Sequence, residues 1–190
     1  MHHRVKNSLQ LLASSMNLQP RCCRTEEAKT VLQENVGRVL SIAAIHDIPT
    51  KTGSSRVDSL GLLNALRKNL QALVPGGKRI TIRVEGDSVP LEAGSAVSAA
   101  MAVNELITNA LEHAFTERDE GEIRVSFRAG TLFHTVTVAD NGSGFDPGEV
   151  NRSSFGLRIV EATVRDKLHG VLRIRSDAGG TTVSFNLKRE

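Results

Sequence analysis

The spacing of apolar residues over the first fifty positions predicts two amphipathic helices. The first breaks at Pro20 and the second ends before Pro49, because proline does not continue a helix. A hairpin of two such helices buries both apolar stripes only when it pairs with a second copy. We therefore expect residues 1–50 to form half of a four-helix bundle in a homodimer. The stripe of the first helix consists of Val5, Leu9, Leu12 and Met16.

From residue 56 onward, helical and strand-like periods follow one another. A polar connector at 50–57 separates this region from the helical one. Helices grouped against one mixed sheet form a two-layer sandwich. The chain is thus predicted to be α+β, with a helical domain at 1–50 and a sandwich domain at 56–190. Helical spacing covers 60–74, 93–115 and 155–168, and alternation predicts strands at 80–84, 123–127, 133–138, 172–174 and 183–187.

Charge and hydropathy narrow the range of partners. The 24 Lys and Arg exceed the 21 Asp and Glu by only three, and the basic residues are scattered with almost no aromatic residues beside them. Nucleic-acid binding is therefore not expected. No apolar run approaches the length of a membrane span, and the start lacks the basic-then-apolar pattern of a leader peptide. We expect this segment to be cytoplasmic and not inserted in a membrane.

Polar residues recur every fourth position along the otherwise apolar helix predicted at 93–115. Glu105, Asn109 and His113 are spaced by four, which places them on one face of a helix. An amide oxygen such as that of Asn109 is a hard ligand suited to Mg²⁺. From this segment alone, a ligand-binding face and a solvated helix edge are equally good interpretations.

Two further segments carry chemistry that depends on glycine. Asp140 ends a predicted strand, and Gly142 and Gly144 follow it at a spacing of two. A carboxylate there can accept the amino group of adenine, and glycines let the backbone approach a flat base. The second segment, 153–160, opens a helix from small residues and can bring its N-terminus near phosphates. Taken singly, the first segment is equally a simple turn and the second a plain capped helix start.

Taken in this order, these segments resemble the ATP-binding domain shared by DNA gyrase, MutL and histidine kinases, over about residues 60–188. Residues 105–113 resemble its N box, 140–144 its G1 box and 154–157 a shortened G2 box. The run 179–181, Gly-Gly-Thr, resembles its closing motif. The resemblance implies the Bergerat sandwich, in which ATP binds between helices and sheet.

The resemblance also implies roles for individual residues. Asn109 would hold Mg²⁺, and Asp140 would receive the adenine amino group, with Thr181 close by. Many histidine kinases have Lys at the position of Glu112, so His113 or Arg158 would supply the missing positive contact to phosphate. Glu105 occupies the position of the general base of the ATPase members, and acts here either in proton abstraction or in ordering water. The residues expected to shape the adenine pocket and its lid are Gly142, Gly144, Gly156 and Leu157.

The first residues distinguish among members of this group. The run 3–7, His-Arg-Val-Lys-Asn, resembles the phosphoacceptor box of the HisKA_2 and HWE histidine kinases. The resemblance implies that His3 accepts the γ-phosphate of ATP and that a response regulator receives it in turn. Arg4 and Lys6 flank His3 and could offset phosphate charge, and imidazole is a nucleophile at neutral pH.

Two other functions fit part of the pattern. Serine kinases of the anti-sigma-factor type share the ATP fold and resemble this chain at Asn104-Glu105-Leu106. They lack a histidine-bearing hairpin, so residues 1–48 argue against them. The second alternative is an ATP-binding dimerisation module without phosphotransfer.

Overall fold

The computed structural model describes residues 56–145 and 155–189. The chain divides into two units, Met1–Pro49 and Thr50–Glu190, and every described residue belongs to the second. The predicted helical hairpin and His3 therefore lie outside the described residues. None of the described helices is long and apolar enough to cross a lipid bilayer.

The described residues form three helices, seven strands and one π turn, and their arrangement is of the α+β class. Five strands make a mixed sheet, and the two remaining short strands pair with each other. In chain order the elements are β1 (Arg56–Asp58), α1 (Ser59–Gln71), β2 (Arg79–Gly86), β3 (Pro90–Glu92), α2 (Ala93–Asn109), the π turn (Ala110–Ala114), β4 (Glu120–Arg128), β5 (Phe133–Asp140), α3 (Phe155–Asp166), β6 (Leu172–Asp177) and β7 (Gly180–Lys188).

The sheet has the strand order β2-β4-β5-β7-β6. Strands β2 and β4 are parallel, and the other neighbours are antiparallel. Alternate residues of β2, β4, β5 and β7 are buried, so one face of the sheet packs against the helices. The predicted two-layer sandwich is confirmed for the described part of the chain.

Helix α2 runs over the sheet and carries much of the core. Its buried residues include Ala96, Ala99 and Ala100, whose small side chains let the helix approach its neighbours closely. The predicted continuous helix over 93–115 is only partly right, because the regular helix ends at Asn109 and continues as the π turn. Lys78 then fixes the chain beyond this turn, since its Nζ donates to the carbonyls of Phe115, Thr116 and Arg118.

The polar connector predicted at 50–57 is wrong for its last two residues. Arg56 and Val57 belong to β1, which pairs antiparallel with β3, so that Val57 lies opposite Leu91. Strands of three residues are too short to show an alternating pattern, and for this reason both escaped the sequence analysis.

Candidate functional site

A cavity of about 230 Å³ opens between the C-terminal part of α2 and the sheet. Its walls are largely apolar and include Val138, Ile174 and Val183. Such walls suit a flat hydrophobic ring of a small-molecule ligand. Three distant segments of the sequence thus meet at one place. The predicted site residues that line this cavity are Asn109, His113, Asp140, Gly144, Leu157 and Thr181.

Asp140 stands at the end of β5 with its carboxylate held by the backbone. Oδ1 accepts hydrogen bonds from the N–H of Gly142, at 2.9 Å, and of Thr181, at 3.2 Å. Burial raises the pKa of Asp140 above its ordinary value, and these two backbone bonds act in the opposite direction. Among the described residues, both hydrogen bonds that this side chain accepts from other residues end on Oδ1. The second carboxylate oxygen can therefore accept a donor from a molecule in the cavity.

Ser176 belongs to the same polar network, although the sequence analysis gave it no role. Its Oγ lies 2.8 Å from Oγ1 of Thr181 and accepts a 2.9 Å hydrogen bond from the N–H of Phe145. Thr181 in turn donates its backbone N–H to Asp140. A continuous chain of hydrogen bonds thus joins Asp140 to Phe145.

Two glycines of the Asp140 turn lie where a side chain would not fit. Gly144 has a φ of +63°, and a Cβ at this position would lie 1.8 Å from the carbonyl oxygen of Asp177. A Cβ on Gly142 would lie 2.3 Å from the carbonyl oxygen of Ala114, at the end of the π turn. Any side chain would push the turn away from the helix or from β6.

Hydrogen bonds tie the same turn to the neighbouring elements. Ser143 donates its N–H to the carbonyl of Ala114 at 3.0 Å, which satisfies a group that the end of a helix leaves unpaired. Asn141 accepts from the N–H of Glu122 through its side chain at 2.7 Å and donates its own N–H back at 3.2 Å. Asp-Asn-Gly is therefore a turn, as its composition indicates, and also one wall of the cavity.

Only part of the polar face predicted from the sequence lines the cavity. Four residues of an α-helix turn by about 400°, so positions spaced by four drift round the helix by about 40° per step. Glu105 is 4% exposed and does not line the cavity, whereas Asn109 and His113 do. The side chain of His113 is 75% exposed, and its Nε2 lies 3.9 Å from a carboxylate oxygen of Glu112. Of the three residues predicted to share one face, Asn109 and His113 thus line the cavity, whereas Glu105 is buried outside its wall.

The start of α3 contributes less to the cavity than the shortened G2 box suggests. Leu157 lines it, but Gly156 is buried without lining it, and Arg158 is exposed outside it. Gly142 is likewise buried beside the cavity rather than in its wall. Of the two candidates for a positive contact to phosphate, only His113 therefore lies at the cavity.

The donor set fits a metal that is held mainly by a nucleotide. Within 56–145 and 155–189, no three His, Cys, Asp or Glu side chains come together as a metal site. The amide oxygen of Asn109 is a single neutral ligand at the cavity. Mg²⁺ commonly takes one or two protein ligands and completes its shell with water and phosphate oxygens.

This fold and site define an ATP-binding domain of the Bergerat type, and the family comparisons agree. Residues 94–190 match the family of histidine kinase-, DNA gyrase B- and HSP90-like ATPases. Residues 1–74 match HisKA_2, a histidine kinase family. The chain belongs to the histidine kinases.

Individual relatives are similar over nearly the whole chain. Sensor histidine kinase PdtaS of Mycolicibacterium smegmatis is 33% identical over 187 residues, which is 96% of this chain and 38% of that protein. Blue-light-activated histidine kinase 2 of Erythrobacter litoralis is 27% identical over 195 residues, or 98% of this chain and 55% of the relative. The chain therefore spans well under two thirds of the length of either protein.

Solved structures support the fold. The histidine kinase domain from Erythrobacter litoralis EL346 blue-light activated histidine kinase matches with a TM-score of 0.68 at 19% identity. The match covers 94% of this chain and 95% of that one.

Proposed function

We propose that this chain binds Mg-ATP in the cavity beside Asp140 and transfers the γ-phosphoryl group to His3. A response regulator aspartate then receives that group in two-component signalling. The observation that carries the proposal is the meeting of Asn109, Asp140 and Thr181 at one apolar cavity. An acceptor for a base amino group and a ligand for a phosphate-bound metal thereby face the same space.

Each part of the nucleotide has a matching part of the cavity. The free oxygen of Asp140 accepts the adenine amino group, while Val138, Ile174 and Val183 contact the ring faces. Asn109, in the wall of the cavity, would hold Mg²⁺, and His113 would contact phosphate. When bound, Mg²⁺ neutralises phosphate charge during the transfer. Gly142 and Gly144 keep the turn close enough to enclose the base.

The chemistry proposed for His3 is an in-line displacement. A ring nitrogen of His3 attacks the γ-phosphorus, the bond to the bridging β–γ oxygen breaks, and ADP leaves with the electron pair. Such a transfer depends on positioning and on charge neutralisation more than on a strong base. Arg4 and Lys6 would offset the charge of the incoming phosphate, and Asn7 would hydrogen-bond the ring. The match of residues 1–74 to HisKA_2 supports this assignment.

The two functions would be divided between two domains. We assign dimerisation and phosphotransfer to residues 1–50, and ATP binding to residues 56–190. Pairing of the helical domains would make the chain a homodimer. Because ATP is the phosphoryl donor, we place the domain in the cytoplasm. The name of the relative PdtaS, a sensor histidine kinase, supports a role in signalling.

Phosphoamino-acid chemistry separates this proposal from its competitors. The protein is incubated with γ-labelled ATP and magnesium, and the label is tested for loss in acid and retention in alkali. We expect an acid-labile label that His3→Gln abolishes and that the matched control His2→Gln retains. An acid-stable label would identify a serine kinase instead, and a label that survives His3→Gln would remove His3 as acceptor. ATP binding without any label would identify a module without phosphotransfer.

A further inference from the structure

A second cavity, of about 250 Å³, lies at the opposite end of the sheet from the ATP site. It is enclosed by the β1–β3 pair, the start of α2, the loop between β4 and β5, and the end of β7. His134 lines it from the start of β5, six residues before Asp140. At about 3.3 Å per residue the two cavities are separated by about 20 Å along this strand, so they are distinct sites.

The N-terminus of α2 opens toward this cavity without a side-chain cap. Glu92 occupies the N-cap position, but its side chain makes no capping hydrogen bond, and the first turn contains no acidic residue. Ser95, in that first turn, lines the cavity. The N–H groups of a first turn have no partner within the helix, and the positive end of a 17-residue helix favours an anion.

His134 adds a hydrogen-bond donor to the same space. The residue is only 6% exposed, and its Nδ1 accepts the N–H of Gly130 at 3.4 Å. Burial, and then the positive charge of Arg189, lower the pKa of His134, so the ring is neutral at neutral pH. A neutral imidazole that accepts at Nδ1 carries its proton on Nε2. Among the described residues, that Nε2 has no hydrogen-bond partner.

The charges around this cavity are predominantly positive. Arg56, Lys188 and Arg189 line it, and Glu92 is the one acidic residue that the described part of the chain contributes to its wall. Glu92 lies 3.6 Å from Nε of Arg56, so these two charges largely compensate each other. Within the described part of the chain, Lys188 and Arg189 take part in no ion pair. Val89, Leu91 and Leu187 form an apolar part of the wall.

From this arrangement we propose that the second cavity binds a small organic anion, an oxyanion group on a short apolar carrier. The oxyanion would accept hydrogen bonds from Nε2 of His134 and from the first turn of α2, with Arg189 and Lys188 balancing its charge. The apolar portion would lie against Leu91 and Leu187. A donor on a largely buried side chain, a helix N-terminus and two cations outside any ion pair of the described residues are complementary to one kind of ligand.

Titration of the whole ¹⁵N-labelled chain tests the proposal. The ATP site is first filled with a non-hydrolysable ATP analogue and magnesium, and butyrate or inorganic phosphate is then added. We expect a saturable shift of the amide signals of Gly94 and Ser95 and of the His134 ring nitrogens. Tighter binding of butyrate would identify a carboxylate, and tighter binding of phosphate a phosphate group. An equal shift with sodium chloride at matched ionic strength, or no saturable shift, would overturn the proposal.

Four variants show whether the binding is local. Arg189→Gln should weaken it about 5-fold, as expected for the loss of one partly solvated charge-assisted bond. Arg173→Gln is the matched control, because it removes a cation from the exposed side of β6 outside the cavity. An equal loss in both variants would reduce the effect to general electrostatic attraction and overturn the site.

The other two variants concern the donor of His134. His134→Gln retains an N–H donor and should keep most of the affinity, whereas His134→Leu should lower it about 10-fold. Equal affinity of the Gln and Leu variants would exclude His134 as a ligand. If His134→Leu does not fold, the exposed Arg189 and its control still decide the question.

Discussion

Strand β5 carries a buried titratable residue near each end, and the two residues make an instructive pair. Burial raises the pKa of Asp140 and lowers that of His134, so at both ends it favours the neutral form. Asp140 is held by two backbone N–H groups from a glycine turn and from the next strand. His134 accepts one longer hydrogen bond, from Gly130. At the end of β5 that borders the ATP cavity, the backbone therefore holds the titratable side chain tightly. At the opposite end, the arrangement depends on side chains from separate elements.

The largest effect should come from adding one methyl group to the turn at the ATP end. In Gly144→Ala the new Cβ would lie 1.8 Å from the carbonyl oxygen of Asp177, at a φ of +63°. We expect a loss of about 3 kcal/mol in the free energy of unfolding, because strain and a backbone clash add together. Urea denaturation measures it.

A glycine in open space supplies the control for this substitution. Gly76→Ala meets no heavy atom within 4 Å, and its backbone is not left-handed. Its stability should change by no more than about 0.5 kcal/mol. Equal stabilities of the two variants would mean that the turn at Gly144 relaxes freely, and the contrast between the two ends of β5 would disappear.

The sequence predicted this end of the strand well because its parts are neighbours in the chain. Asp140, Gly142 and Gly144 lie within five residues, so their spacing alone indicates a turn with an acceptor. The role of Ser176 was not predicted, because its partner Phe145 is 31 residues away in the sequence. A single Ser on a strand also forms no recognisable motif. The sequence also did not indicate the π turn at Ala110–Ala114, because its residue types are those of an ordinary helix.

The opposite end was not predicted at all, for the same physical reason. His134 occupies an ordinary inward position of an alternating strand, and its cavity is completed by residues from β1, β3, α2 and β7. Only the folded chain brings Arg56 and Arg189 to one wall. Sequence analysis therefore identifies sites built from contiguous motifs and misses sites assembled from single residues.

The next largest effect is expected from replacing Asp140, the proposed acceptor of the adenine amino group. Asp140→Asn can still accept the two backbone bonds through its amide oxygen, but it would then direct an NH₂ donor at the adenine amino group. We expect ATP affinity to fall about 30-fold, or about 2 kcal/mol, as for the loss of a bond to a charged group. Calorimetric titration with ATP and magnesium measures the change.

An acidic residue outside the cavity provides the matched control. Asp166→Asn lies at the exposed end of α3, beside Arg165, and should leave ATP affinity unchanged. Anion binding at the second cavity should also be the same in both variants. Retention of full ATP affinity by Asp140→Asn would remove Asp140 from the adenine contact, and coupled changes at both cavities would show that the two ends of β5 are not independent.

A smaller loss should follow from Ser176→Ala. This change removes the acceptor for the N–H of Phe145 and the partner of Thr181 Oγ1. We expect faster hydrogen exchange at the Phe145 amide and about a 5-fold weaker affinity for ATP, as for the loss of a neutral hydrogen bond. Ser184→Ala, at a half-buried position of β7, is the control. Unchanged exchange at Phe145 would mean that Ser176 does not anchor this segment.

The smallest expected effect is a difference in how Asp140 and His134, near the two ends of β5, make the free energy of unfolding depend on pH. The folded pKa of Asp140 is raised above 3.8, so the folded state holds a proton that the unfolded chain has already lost. The contribution of Asp140 to stability therefore falls as pH rises through that window. The pKa of His134 in the folded state is lowered below 6.5. Just below pH 6.5 the unfolded chain therefore binds a proton at this residue that the folded chain does not bind. Its contribution falls as pH decreases below about 6.5.

Urea denaturation of the parent chain, Asp140→Asn and His134→Gln over a pH series separates these contributions. Since Gln does not titrate, His134→Gln should lose less stability than the parent as pH falls below about 6.5. Asp140→Asn should lose less than the parent as pH rises above about 4. Parallel curves for the parent and His134→Gln would show that the imidazole is solvated rather than buried. The second cavity would then lack the desolvated donor that makes it different from the exposed basic residues around it.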